Sequence, residues 1–229
     1  EVVPVYARPV FRMPHHLARL AHSCDGIGLA NPHADAEWER LVRELIARQP
    51  FDDQAVYLQV TRGVAKRDHA FPKHAAPTVV MMSNPLPSPT REQVERGVAA
   101  ITAEDNRWQR CDLKTTSLLG NVLMRQLAAE AGAVETVMFR DGFLTEASAA
   151  NVLVVKGGTI VAPPKAHQIL PGITYDATIE FAREAGMPME IRPWDSPSRV
   201  KIERSISPKQ KSKAKPLCSG LRKCPSPSR

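Results

Sequence analysis

Three prolines fall within the eight residues Ser83-Asn84-Pro85-Leu86-Pro87-Ser88-Pro89-Thr90, and neither a helix nor a central strand survives such a run. The break divides the sequence into two compact halves, a small first domain over 1–83 and a larger second domain over 91–194, joined by a linker at 84–90. There is no internal repeat. A second boundary is compositional: residues 195–229 hold ten Lys/Arg against two acids, together with eight serines and five prolines. The net charge of +7 therefore belongs to this tail, and residues 1–194, with 21 basic and 22 acidic side chains, carry −1. With so few apolar side chains the tail cannot offset the entropy of ordering, so disorder is expected. Its Lys/Arg could attract phosphate, but no interleaved aromatics accompany them, which weighs against a nucleic-acid contact.

Both halves read as α+β. In the first, Val2 to Ala7 is strand-like, and helices are expected from His15 to about Ile27 and from Ala34 to Arg48. Trp38, Leu41, Val42, Leu45 and Ile46 form one apolar stripe on the second of these. Ala55–Arg62 alternates as a strand does, and Thr78–Met82 is another short one. In the second half a short helix is expected at Arg91–Glu95 and a strand at Val98–Ala103. A longer helix, Thr115–Ala131, would stop at Gly132 and turn Leu118, Leu119, Val122, Leu123 and Leu127 inward. Val134–Phe139 would then pair through an Asp141-Gly142 hairpin turn with Asn151–Val155. Gly157-Gly158 turns the chain into Thr159–Ala162, followed by a helix at Thr174–Ala185 and a strand at Pro188–Arg192.

Several chemistries are excluded. No apolar run reaches membrane-spanning length, and Glu1-Val2-Val3-Pro4 lacks the regions of a signal peptide, so a soluble, cytoplasmic protein is expected. Cys24, Cys111, Cys218 and Cys224 form neither a disulfide scaffold nor a zinc ribbon. GxGxxG, P-loop, GxSxG and HExxH patterns are all absent. His15, His16 and His22 lack a carboxylate set and read as surface histidines, so no metal is expected. The acid pairs Asp52-Asp53 and Glu104-Asp105 read as solvated charge.

Three segments stand out: Arg110-Cys111-Asp112-Leu113-Lys114-Thr115-Thr116, Leu144-Thr145-Glu146-Ala147-Ser148-Ala149-Ala150-Asn151, and Gln168-Ile169-Leu170-Pro171-Gly172-Ile173-Thr174. Taken one at a time, Lys114 is a solvated lysine, Glu146 an exposed hairpin acid, and Gly172 a turn residue ahead of a helix cap. Taken in order, they closely resemble the fold-type IV, pyridoxal-phosphate-dependent aminotransferases, especially the D-amino acid transaminase branch. That family has a D-x-K-S/T segment, then T-E-x-S-x-x-N, then I-L-x-G-I-T. His16-Leu17-Ala18-Arg19-Leu20 is similar to its H-x-x-R-L element, and the resemblance runs from Glu1 to about Pro193.

The resemblance implies a two-domain α+β fold with pyridoxal 5'-phosphate in the cleft between the domains. Lys114 would be the Schiff-base lysine and would move the α-proton. Glu146 would keep the pyridine nitrogen protonated. Arg19, Gly172, Ile173 and Thr174 would receive the phosphate at a helix start. Leu170 would pack on the ring, and Ser148 and Asn151 would line the pocket. Arg67 and His69, in Lys66-Arg67-Asp68-His69, match an R-x-H that traps the substrate carboxylate, with Arg62 as a competitor. The expected reaction exchanges an amino group between a D-amino acid and a 2-oxo acid. The alternatives are a branched-chain L-aminotransferase, an aminodeoxychorismate lyase, and an inactive truncated relative. Family members are usually homodimers whose small-domain loops complete the partner's site.

The chain departs from the family at both ends. An F-G-D-G-V-Y-like segment, with its tyrosine, is missing before Glu1, and the strands and Thr/Ser-rich turn that follow in relatives are missing after Trp194. The composition shift there points to a frameshift, a mispredicted gene end or an unusual splice product. Tyr175 also stands where many relatives have arginine.

Overall fold

The computed structural model describes residues 1–195, so the disorder expected of the basic tail lies, from residue 196 on, outside the described residues. The chain begins with β1 (Val2–Val5), α1 (Met13–Gly26), α2 (Asp35–Ala47), β2 (Gln54–Thr61) and β3 (Thr78–Pro85). The three strands form an antiparallel sheet in the order β1-β2-β3. Alternation decides its faces: Val3 and Val5 on β1 and Gln54, Val56 and Leu58 on β2 point into the core. The helices cover that face. Trp38, Val42 and Ile46, spaced one turn apart on α2, meet Met13, Leu17, Leu20 and Cys24 of α1. Burying Trp38, Val42 or Leu58 contributes roughly 1.5–3 kcal/mol each. The outer face of α2 is laced instead by Arg40 to Glu37 and Glu44.

Two boundaries differ from expectation for clear reasons. Helix α1 starts at Met13 rather than His15, because Pro14 suits a first helical turn, where its missing N–H is not needed. Strand β3 runs through Ser83 and Asn84 to Pro85, three residues into the proline-rich segment. It is an edge strand, where a proline costs no ladder bond.

The chain continues with α3 (Arg91–Arg96), opened by a capping box between Thr90 and Gln93, then β4 (Ala100–Glu104), α4 (Leu119–Glu130), β5 (Glu135–Arg140) and β6 (Phe143–Ala147). Strand β4 runs parallel to β5, and β5 antiparallel to β6. The hairpin partner of β5 is thus Phe143–Ala147 and not Asn151–Val155. Asp141 and Gly142 both have positive φ, 52° and 80°, and their two-residue turn returns the chain at once. A third sheet holds β7 (Val154–Lys156), β8 (Thr159–Ala162) and β9 (Met189–Ile191), with α5 (Ile173–Glu184) between β8 and β9.

Helix α4 also departs from expectation. It begins at Leu119, leaving Lys114–Leu118 as irregular chain, and its buried residues are Met124 and Ala128. Leu118, Leu119, Val122, Leu123 and Leu127, expected inward, are 43–73% exposed. The Met124–Ala128 side packs toward β5, where Thr136 Oγ1 donates to the Met124 carbonyl at 2.6 Å. Among the described residues no helix is long and apolar enough to cross a membrane.

Candidate active site

A cavity of about 800 Å³ opens where α1 and β2 face the irregular chain between β4 and α4 and the ends of β6 and the 163–172 loop. Glu1, Lys114, Glu146, Ser148, Asn151 and Leu170 are among its lining residues. Lys114 is delivered by a segment that the fold pins on two sides. Its amide donates to Ser23 Oγ on α1 at 3.0 Å, and the Cys111 amide donates to the His167 carbonyl at 2.7 Å. Asp112 gathers the same segments: it accepts from Arg110 Nε at 3.1 Å and lies 3.4 Å from His22 Nε2 and 3.3 Å from His167 Nδ1. Burial would raise the Asp112 carboxyl, but the Arg110 and His167 contacts outweigh it and hold it at about 2.

Lys114 is not the solvated lysine of a residue-by-residue reading. Burial pushes its amine below the usual 10.5, and the nearby Glu1 and Glu146 charges only partly oppose that. A depressed lysine spends more time as the free amine, the form that attacks a carbonyl.

Glu146 is buried on β6 and fully partnered. Its Oε1 accepts from Arg107 Nη1 at 2.5 Å, and its Oε2 accepts from Asn151 Nδ2 and the Leu170 amide, each at 3.0 Å. Burial raises its pKa, against the pull of Arg107. Arg107 itself grips Asp105 through Nε at 2.9 Å and Nη2 at 2.8 Å. Asp105 further accepts from Thr145 Oγ1 at 2.9 Å and pairs with Arg140 Nη2 at 3.1 Å. The expectation that Asp105 is solvated is therefore wrong: five donors, three from Arg107 (its amide, Nε and Nη2) with Thr145 Oγ1 and Arg140 Nη2, make burial tolerable. Glu104 and the pair Asp52-Asp53 are exposed, as read.

Arg19 is buried on α1. Its Nε and Nη2 reach the two oxygens of Glu1 at 3.0 and 2.8 Å, and its Nη1 donates to the Pro171 carbonyl at 3.0 Å. That last bond ties it to Gly172, the N-cap of α5. The amides of Ile173 and Thr174, in the first turn of α5, have no intrahelical acceptor. Arg19, Gly172, Ile173 and Thr174 are not among the lining residues, but Arg19 is bonded to Glu1, which lines the cavity, and Gly172 comes two residues after Leu170, which also lines it. His16, expected on the surface, is buried with Nδ1 2.8 Å from Glu1 Oε2, whereas His15 and His22 are exposed. Ser148 Oγ bonds Glu135, and its carbonyl accepts from Asn121 Nδ2 at 2.9 Å.

Arg67 and His69 are not brought to this cavity. They lie exposed on the chain between β2 and β3. Arg62 is occupied elsewhere: it donates to the carbonyls of Ile27 and Gly28 and stacks 3.5 Å above the Phe71 ring centroid. Sequence reasoning gave Glu1 and Arg107 no role in the site and read Asp105 as solvated charge. The close Asp105-x-Arg107 spacing was the only local signal. Among the described residues no cluster of His, Cys, Asp and Glu is arranged to hold a metal ion.

The family model described as amino-transferase class IV matches residues 1–216. The chain belongs to the class IV aminotransferases. The family match extends past Trp194, where the motif resemblance ends. A D-alanine aminotransferase of Bacillus licheniformis is 39% identical over 190 residues, covering 83% of this chain and 67% of the relative. The branched-chain amino acid aminotransferase of Escherichia coli superposes with a TM-score of 0.78 at 22% identity, over 86% of this chain and 69% of that one, a likeness of fold. A hypothetical aminotransferase from Mycobacterium tuberculosis in a PLP-bound form gives 0.72 at 25% identity, over 85% and 71%. This class IV aminotransferase thus has the expected α+β fold of type IV and is a pyridoxal-phosphate-dependent enzyme by family.

The residues present fit that cofactor. One cavity holds a buried amine of lowered pKa and a buried carboxylate, and next to its lining residues Glu1 and Leu170 an arginine stands beside a helix N-terminus. The turn at Gly172 has no room for a side chain, since a Cβ there would lie 1.9 Å from Asn151 Oδ1.

Proposed function

We propose that this aminotransferase exchanges an amino group between a D-amino acid such as D-alanine and a 2-oxo acid. The observation that carries the reading is the Lys114 amine and the Glu146 carboxylate in one cavity, in a chain 39% identical to a D-alanine aminotransferase. Bound pyridoxal phosphate supplies an aldehyde for an amine and a ring that accepts an electron pair. Lys114 Nζ, its pKa lowered by burial, would be the amine that holds the cofactor and, as a free base, the group that accepts the proton from the substrate α-carbon. Glu146, its carboxylate fixed by Arg107, Asn151 and Leu170, would keep the pyridine nitrogen protonated. Arg19 and the amides of Ile173 and Thr174, after the Gly172 N-cap, would hold the phosphate, with the Thr174 hydroxyl as a further donor. Leu170 would pack on the ring, and Ser148 and Asn151 line the cavity beside it.

The cavity takes residues from both proposed domains, 1–83 and 91–194. Arg67 and His69 act on the substrate carboxylate of a partner subunit in a homodimer, which accords with their exposure away from their own cavity. Mixing Lys114→Ala subunits with Arg67→Ala subunits tests this. Activity returns in the mixture if the loop serves the partner and stays absent if it serves its own subunit.

Borohydride reduction with pyridoxal phosphate, followed by peptide mapping, tests the site. A reduced adduct on Lys114, lost in Lys114→Ala, is expected, together with pyruvate release from D-alanine and 2-oxoglutarate. Turnover of L-leucine with none of D-alanine would overturn the substrate reading. Folded protein without an adduct would overturn the catalytic one.

A further inference from the structure

The Glu1 side chain is 1% exposed, lines the cavity and has no role in the chemistry assigned above. Its place is set by the main chain. The Glu1 nitrogen donates to the Leu58 carbonyl at 2.6 Å and the Leu58 amide to the Glu1 carbonyl at 3.0 Å, extending the β1–β2 ladder by one residue. The carboxylate is thus carried on a sheet and not on a loop. Two Arg19 nitrogens meet its two oxygens side by side, and His16 Nδ1 lies 2.8 Å from Oε2. The Arg19 and His16 side chains are themselves 9% and 4% exposed.

A guanidinium has five N–H groups in one plane. Glu1 takes two from Arg19 and the Pro171 carbonyl takes a third, on the opposite side of the group. These three bonds fix the plane and leave one N–H on each terminal nitrogen. They also fix it next to the α5 N-terminus, because Pro171 directly precedes the Gly172 N-cap. Without Glu1, one bond to a carbonyl would leave the guanidinium free to turn about it.

We propose that Glu1 is a positioning residue that aims the Arg19 guanidinium, so that its two remaining N–H groups and the α5 amides act together on the cofactor phosphate. This rests on the reading that Arg19 takes the phosphate. The negative charge on Glu1 also keeps the site from presenting an uncompensated buried cation before the ligand arrives. His16 Nδ1 meets the same Glu1 oxygen, Oε2, that takes Arg19 Nη2, and its Nε2 is buried without a partner.

The test compares binding of pyridoxal phosphate with binding of pyridoxal, which lacks the phosphate, by absorbance titration of the full chain. The wild type should prefer the phosphorylated form strongly. Glu1→Gln should lower that preference at least tenfold, toward the value of Arg19→Lys, and the double variant should be no worse than Arg19→Lys alone. Glu1→Asp keeps the charge but withdraws it by one methylene, so it should lose preference several-fold while remaining folded. A preference within twofold of wild type in folded Glu1→Gln or Glu1→Asp would overturn the proposal and leave the site reading standing. A wild type that binds both compounds equally would overturn both.

Discussion

Arg107 Nη1 lies 2.5 Å from Glu146 Oε1 while the opposite edge of the same guanidinium closes on both oxygens of Asp105 at 2.9 and 2.8 Å. One cation therefore neutralises two buried carboxylates, one of them the group facing the cavity. Removing it leaves Glu146 buried with no cation beside it and Asp105 with Arg140 alone. Arg107→Met should destabilise the protein by about 3–5 kcal/mol, the usual cost of breaking a buried pair from one side. Urea unfolding at neutral pH measures it, and a loss below about 1 kcal/mol would show that the pair is not holding the site.

The acid limb of stability should carry the signature of Glu1. Burial raises this carboxyl, but the bonds from His16 and Arg19 and the Arg19 charge overcome that and bring it from 4.5 to about 2. Because the folded value is the lower one, the contribution is full above the unfolded value of 4.5 and is lost as pH falls toward 2. It amounts to roughly 3 kcal/mol. Asp112, brought from 3.8 to about 2, adds to the same limb. Stability measured from pH 6 down to pH 2 should thus fall less steeply in Glu1→Gln than in wild type, and parallel curves would contradict the assignment.

Lys114 and Glu146 were legible before any coordinates because their neighbours in the chain carry the pattern, Asp-x-Lys in one segment and Thr-Glu-x-Ser in another. Asp105, Arg107 and His16 were not. A polar side chain is buried only when distant donors satisfy it, and Arg107 reaches Glu146 across 39 positions. Strand β6 was hidden for a related reason: Phe-Leu-Thr-Glu-Ala carries a charge where a core strand should be apolar, and that charge is tolerable only because Arg107 is there. On α4 the periodicity was real but two-sided. Apolar residues occupy both the Met124–Ala128 side and the Leu119–Leu123–Leu127 side, and periodicity alone does not say which side meets the sheet.

That two-sidedness is itself testable. Met124 is 5% exposed and Leu123 is 53% exposed, although they are sequence neighbours of similar volume. Met124→Ala should cost about 2–5 kcal/mol, as buried large-to-small changes do. Leu123→Gln should stay within about 0.5 kcal/mol of wild type. Thermal melts of the two variants suffice, and a reversed order would restore the leucine side of α4 as the buried one.

Gly172 links the two ends of the site through space and not through backbone freedom. Its φ and ψ of −69° and 133° are open to any residue, yet a Cβ would stand 1.9 Å from Asn151 Oδ1 and 3.3 Å from Tyr175 Cβ. Asn151 would have to move, and its amide is what joins Glu146 Oε2 to the Leu170 carbonyl, at 3.0 and 2.9 Å. Gly172→Ala should therefore weaken pyridoxal phosphate binding about tenfold, equivalent to about 1.4 kcal/mol. The fold should lose only about 1 kcal/mol, because the clash is with the end of a side chain. Adding Asn151→Ala removes the clash but not the lost bonds, so the double variant should melt higher than Gly172→Ala while binding the cofactor no better. Wild-type affinity in Gly172→Ala would mean that Asn151 yields without disturbing Glu146.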